Sequence, residues 1–179
     1  KTRDDAAGEA FDKVGKMMDI GYPGGPAIDR AATSGDAGFV DFPRVYLDRD
    51  GSEFSFSGIK TAVRNYLAQR TPEENTRDAP HIAASFQEAV VEVLVNKTVD
   101  AAQSLRLDRI LITGGVACNS RLRALMTESA DTHGIKVTYP SPGLCTDNGA
   151  MIAAAGSFHF SQEHVSPLSL EADPRAPLV

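Results

Sequence analysis

Two stretches constrain the fold of this chain more than any others: Arg109-Ile110-Leu111-Ile112-Thr113-Gly114-Gly115-Val116-Ala117-Cys118-Asn119 and Pro140-Ser141-Pro142-Gly143-Leu144-Cys145-Thr146-Asp147-Asn148-Gly149-Ala150. Each carries a glycine-bearing turn and then a polar residue where a helix begins. The first follows an apolar strand and the second follows residues 136–139, so the order reads strand–turn–helix–strand–turn–helix. Such a run is α/β. It aims two helix N-termini, with unpaired N–H groups and partial positive charge, at one edge of a sheet. Phosphate-bearing ligands bind at such edges, which points to a nucleotide site.

The remainder of the chain reads as mostly helical. Asp5 is placed to cap a helix over residues 6–18, with Phe11, Val14, Met17 and Met18 as its apolar stripe. The turn Gly21-Tyr22-Pro23-Gly24-Gly25-Pro26 leads into a short helix over 27–32, with Pro26 at a favoured first-turn position. Residues 40–47 and 53–56 are weak strand candidates, separated by a polar turn at 48–51. Ser57 caps a helix to about 67, whose Ile59, Val63, Tyr66 and Leu67 share a face. Residues 70–79 read as a charged loop, and 80–105 as the longest helix, with an amphipathic stripe of Ile82, Phe86, Val90, Val93 and Leu94. Only the strands near 110 and 136 are well marked, so the sheet is expected to be incomplete. The expected division is one lobe over 1–163 and a disordered tail over 164–179. The opening Lys1-Thr2-Arg3 reads as if the chain were cut from something longer.

Bulk properties narrow the function. The 179 residues fit one domain of ordinary size, and 42% hydrophobic content supports a core. A formal charge of −6 argues against nucleic-acid binding by bulk charge. Lys60, Arg64 and Lys97 are scattered, without interleaved aromatics. Two cysteines, Cys118 and Cys145, make no disulfide framework and suit a reduced, cytoplasmic setting. No apolar run approaches the ~20 residues that span a bilayer. The four histidines, His81, His133, His159 and His164, share no metal-ligand spacing.

Each candidate residue has two readings at this level. Gly114 and Gly115 either let a ligand approach the backbone or simply form a tight turn. Asn119 either caps the next helix or reaches a nucleotide. Asp147 is an N-cap or a hard-oxygen metal ligand. Asp12 and Asp29 are solvated helix carboxylates or acceptors for ribose hydroxyls, with Gly25 offering a flat backbone surface to a base. Cys145 reads as a small buried residue. No residue is placed as a general base.

Taken together, six ordered segments resemble the TsaD family of tRNA threonylcarbamoyladenosine transferases, once described as O-sialoglycoprotein endopeptidases. They are Asp4-Asp5-Ala6-Ala7-Gly8-Glu9-Ala10-Phe11-Asp12-Lys13, Tyr22-Pro23-Gly24-Gly25-Pro26, Phe54-Ser55-Phe56-Ser57-Gly58-Ile59-Lys60-Thr61-Ala62-Val63, Ala83-Ala84-Ser85-Phe86-Gln87, Thr113-Gly114-Gly115-Val116-Ala117-Cys118-Asn119 and Cys145-Thr146-Asp147-Asn148-Gly149-Ala150-Met151. The resemblance implies the second lobe of an actin-like ATPase fold, of the RNase H-like kind. It implies transfer of threonylcarbamoyl from threonylcarbamoyl-AMP to N6 of adenosine 37 in tRNAs reading codons that begin with A. It makes Asp12, Gly25, Asp29 and Asn119 nucleotide- or substrate-contacting positions, and Asp147 a ligand to one iron or zinc ion. The family's His-x-x-x-His pair, which would complete that metal, is absent from this sequence, and the resemblance places it before Lys1. The implied partners are tRNA, a TsaB-like paralogue and a TsaE-like ATPase, with no membrane.

Two further readings stand beside this one. Another actin-like enzyme, a sugar or acetate kinase, shares the glycine turns. A non-catalytic nucleotide- or partner-binding module fits a chain without the histidine pair. The endopeptidase reading has no support, since neither a His-Glu-x-x-His helix nor a nucleophile elbow is present.

Overall fold

A helix of 26 residues, α5 (Ala79–Ser104), organises the first of two units in this computed structural model, which describes residues 5–46 and 53–171. The first unit ends at Thr146 and the second begins at Asp147. Along α5, 14 residues are buried, far more than one amphipathic stripe. The expected stripe of Ile82, Phe86, Val90 and Val93 faces one hydrophobic cluster, and Val91, Val95 and Val99 face a second. A helix shared by two cores is apolar on both sides, so its periodicity understates its burial.

The first cluster packs α1 (Ala7–Met17), α2 (Gly24–Ala32) and α3 (Ser57–Ala68) against the first half of α5. In α1 the buried positions are Ala10, Phe11, Val14 and Gly15, whereas Met17 is exposed, so the interior face lies nearer the N-terminus than the expected stripe. Asp5 does not cap this helix. Ala6 holds the N-cap position, and Asp5 instead pairs with Lys13 at 2.6 Å and with Lys60 of α3. Two cations hold the carboxyl of Asp5 below the usual carboxylate range, Lys13 first and Lys60 next, against the opposing effect of burial.

The charged loop expected at 70–79 contains a further helix, α4 (Pro72–Arg77). Thr71 and Glu74 close a reciprocal capping box and Pro72 takes the first turn, a signal present in the Thr-x-x-Glu spacing. The strand candidate at 40–47 fails over its described residues. The N–H of Val40 donates to Ser85 Oγ, Phe42 N–H turns back to the Val40 carbonyl, and Pro43 has no N–H, so no ladder forms. At 53–56 only Phe54 makes an isolated bridge. The polar turn predicted at 48–51 lies outside the described residues, as do the opening residues 1–3.

The second cluster joins α5 to a parallel βαβ unit: β1 (Arg109–Leu111), α6 (Ser120–Thr132) and β2 (Lys136–Thr138). The register pairs Ile110 with Val137. These two strands are the whole sheet among the described residues. The arrangement is α/β and helix-rich.

The second unit consists of α7 (Gly149–Ser161) and turns or irregular backbone as far as residue 171. Asn148 caps α7 by accepting from Met151 N–H at 3.0 Å, one residue after the Asp147 expected in that role. Although α7 is apolar along its length, it buries no residue. The last part of the expected tail, 172–179, lies outside the described residues.

Candidate functional site

Helices α1 and α2 cross with their backbones in contact. A Cβ on Gly24 would stand 2.3 Å from the Phe11 carbonyl oxygen, and one on Gly15 would stand 2.8 Å from Gly24 Cα. At this crossing Asp12 Oδ1 accepts from Gly24 N–H at 2.7 Å. Pro23, at the N-cap of α2, makes no side-chain cap, so Asp12 supplies it from the neighbouring helix. Asp12 is thus neither a solvated carboxylate nor wholly free for a ligand.

Asp29 does the corresponding work across a larger gap in sequence. Its carboxylate accepts from Ser120 Oγ at 2.7 Å and from Ser120 N–H at 3.2 Å, which ties α2 to the start of α6. Asn119, almost fully buried, caps α6 by accepting from Leu122 N–H at 2.9 Å and donates its amide to Gln87 Oε1 at 2.8 Å. Three of the candidate residues therefore close helix N-termini. The sequence pattern suggested that the N-terminus of α6 was open to phosphate. In the fold, the Asp29 carboxylate and the Asn119 amide already occupy it.

The two glycine turns are held together by Arg123. Its Nε donates to the Ala117 carbonyl at 2.5 Å and its Nη2 to the Pro140 carbonyl at 3.1 Å, while the guanidinium lies 5.0 Å from the Tyr139 ring centroid. Gly114 sits at φ 89°, a left-handed conformation that glycine adopts without strain. Cys118 Sγ donates to the Pro142 carbonyl at 3.5 Å, and Cys145 is buried beneath the same turn. Burial pushes the Cys118 thiol above its ordinary range, the neighbouring Cys145 adds to this, and Arg123 opposes it. Two of the scattered cations are engaged within the fold. Lys60 pairs with Asp5, and Lys97 is buried with its ammonium donating to the Glu53 carbonyl at 2.8 Å.

These elements enclose a cavity of about 540 Å³, the size of a small-ligand site. Asp12, Gly25, Asp29, Gly115 and Asn119 all line it, with Phe11 and Val116 as apolar wall. Nothing lies within 4 Å of a Cβ built on Gly25. Gly114 is not on the wall, and Asp147 belongs to the second unit. Sequence reasoning missed Gln87, Arg123 and Arg30. Gln87 and Arg123 act through partners far along the chain, which no local pattern shows. Arg30 follows the candidate Asp29 directly, and that adjacency was the available signal.

The described residues do not by themselves make a metal site. Among the described residues no three His, Cys, Asp or Glu side chains converge to hold an ion, and Asp147 is a single carboxylate where catalytic sites use about three protein ligands. No helix among them is long and apolar enough to cross a membrane.

Comparison with known proteins follows the same residues. The family model described as TsaD, tRNA N6-adenosine threonylcarbamoyltransferase, matches residues 1–154. A protein of that name from Syntrophomonas wolfei is 52% identical over 176 residues, covering 97% of this chain and 51% of the relative. Relatives of the same name from Syntrophotalea carbinolica and Geobacillus thermodenitrificans are 50% and 49% identical, covering 99% and 100% of this chain and 52% of each relative. The chain spans about half the length of the curated relatives it matches.

Proposed function

The chain belongs to the TsaD family of tRNA N6-adenosine threonylcarbamoyltransferases, and on that premise we propose that it forms the C-terminal lobe of such an enzyme. In this reading the lobe has the actin-like ATPase fold and binds the adenylate half of threonylcarbamoyl-AMP. The complete enzyme transfers the threonylcarbamoyl group to N6 of the adenosine next to the anticodon of tRNA. The observation that carries the reading is the gathering of Asp12, Gly25, Asp29, Gly115 and Asn119 on one cavity, from two segments, 12–29 and 115–119, that are distant in the chain.

The chemistry assigns these residues positioning roles. Asp12 has one oxygen bonded to Gly24 N–H, and among the described residues the other has no hydrogen-bond partner, so it can accept from a ribose hydroxyl. Gly25 leaves room for the base against the backbone. Asn119, fixed by Gln87 and Leu122, keeps the wall rigid, so the donor is held where an attacking amine meets the carbamoyl carbon in near-attack geometry. Iron or zinc bound through Asp147 would need further donors from outside this chain. Transfer RNA, a TsaB-like paralogue and a TsaE-like ATPase are the partners of the whole enzyme in this proposal, and its setting is the cytoplasm.

The lack of a three-donor cluster among the described residues favours a second reading for the chain taken alone, a nucleotide-binding module without its own transfer chemistry. One pair of measurements separates the two. Calorimetric titration of the chain with adenosine monophosphate is expected to show saturable binding, and absence of binding removes both readings. Incubation with labelled threonylcarbamoyl-AMP and tRNA then decides: label on tRNA assigns transfer to this chain, and binding without label leaves the module.

A further inference from the structure

The chain's two cysteines, Cys118 and Cys145, meet across the two glycine turns and have no part in holding a nucleotide. Cys118 Sγ donates to the Pro142 carbonyl at 3.5 Å. Cys145 Sγ reaches the Ser141 carbonyl at 3.5 Å and the Pro140 carbonyl at 3.7 Å. Both sulfurs thus lie against three successive carbonyls of one turn, and the two side chains interact directly. Arg123 keeps the pair aligned: its Nε donates to the carbonyl of Ala117, the residue before Cys118, and its Nη2 to the Cys145 sulfur at 3.5 Å. Their exposure differs. Cys118 is half-buried on the cavity wall, whereas Cys145 is 3% exposed. A reachable thiol beside a buried thiol is the arrangement of an attacking cysteine and its resolving partner.

We propose that Cys118 and Cys145 form a redox modification site, in which a hydroperoxide oxidises them to a disulfide that staples the two glycine turns together. Cys118 Sγ attacks one peroxide oxygen; the S–O bond forms as the O–O bond breaks, and the departing oxygen leaves as water with the thiol proton. Cys145 Sγ then attacks the sulfenic sulfur. The S–S bond forms, the S–O bond breaks, and the second oxygen leaves as water with the Cys145 proton. Two thiols lose two electrons and two protons, and the peroxide is reduced to two waters. A dithiol reverses the bond by exchange. The chain holds no third cysteine, so an intramolecular disulfide has a single pairing. That pairing closes a loop containing α6 and β2, where the reduced chain relies on the hydrogen bonds of Arg123. The inference stands whichever ligand the cavity takes.

The test treats the full chain with excess hydrogen peroxide, then reads intact mass, non-reducing peptide maps and melting temperature. The expected product has lost two hydrogens and yields one linked peptide pair carrying Cys118 and Cys145. Its melting temperature is expected to rise by roughly 10 °C, the effect of closing a loop of this length, and to return on addition of dithiothreitol. Cys118→Ser, at the half-buried position, is expected to abolish both the link and the rise. Cys145→Ser is expected to leave Cys118 carrying added oxygen with no link. Should that buried substitution unfold the chain, Cys118→Ser and the peptide map still decide. Thiols that stay free, oxygen added to Cys118 of the native chain without a link, or a disulfide only between two copies of the chain each overturn the proposal. A linked product that melts no higher overturns the staple.

Discussion

The two sides of the cavity are held by different kinds of contact. On the α1–α2 side the backbones themselves touch at Gly15 and Gly24, with Asp12 bonded across the crossing. On the α6 side, side chains reach over distance: Asn119 to Gln87, Asp29 to Ser120, and Arg123 to the two turn carbonyls. Backbone contact has no slack, because neither partner can rotate away. Side-chain contact can yield by a rotamer change, and its loss is felt as an unpaired polar group rather than as a clash. The two sides should therefore fail differently.

Gly24→Ala is the largest expected effect. The added methyl would meet both the Phe11 carbonyl and Asp12 Cα, at 2.3 and 2.5 Å, and both are backbone atoms. Overpacking at a site that cannot relax costs about 3 kcal/mol, and a chain of this size then melts roughly 10 °C lower. Thermal unfolding followed by circular dichroism checks it. An unchanged melting temperature would mean that α1 and α2 slide apart freely, and the contrast between the sides would collapse.

Asn119→Ala comes next. It removes the α6 cap, worth about 1 kcal/mol, and leaves Gln87 Oε1 without its donor in a buried setting, so the total is about 2 kcal/mol. A double-mutant cycle with Gln87→Ala isolates the pair. If the two sides differ as argued, the double variant costs less than the sum of the singles, because neither polar partner is left stranded. Strict additivity would show that the amide pair holds nothing.

What the sequence disclosed follows the same division. The parallel βαβ unit, the long helix and the capping role of Asn119 were legible because strand–turn–helix order and capping chemistry are local. Asp12 was singled out, yet its tie to Gly24 was not visible, since it depends on the angle at which two helices cross. The strand expected at 40–47 failed over its described part for a similar reason. Its backbone donors are satisfied by Ser85 and by its own turn, and Ser85 lies 45 residues away from Val40. The helix at 72–77 was missed although Thr71-Pro72-Glu73-Glu74 carries a capping box, because charge density was read as loop. The tie from Asp29 to the start of α6 departs from the open helix N-terminus that the local pattern suggested, and only the tertiary fold displays it.

Gly25 sharpens the comparison most finely, because it lies on the rigid side and yet bears no packing load. It is one residue from Gly24, in the same first turn of α2, but a Cβ there meets nothing within 4 Å. Replacing a helical glycine whose backbone suits alanine lowers the entropy of the unfolded chain and adds roughly 0.4–1 kcal/mol of stability. Gly25→Ala is thus expected to raise the melting temperature by a few degrees while Gly24→Ala lowers it. The methyl would stand on the cavity wall, so the same variant is expected to weaken adenosine monophosphate binding about tenfold if a base lies flat on that backbone. The two readouts move in opposite directions, which no general loosening of the fold can produce. Tighter folding with unaltered binding would place the ligand elsewhere in the cavity and leave the open space at Gly25 a property of the helix crossing alone.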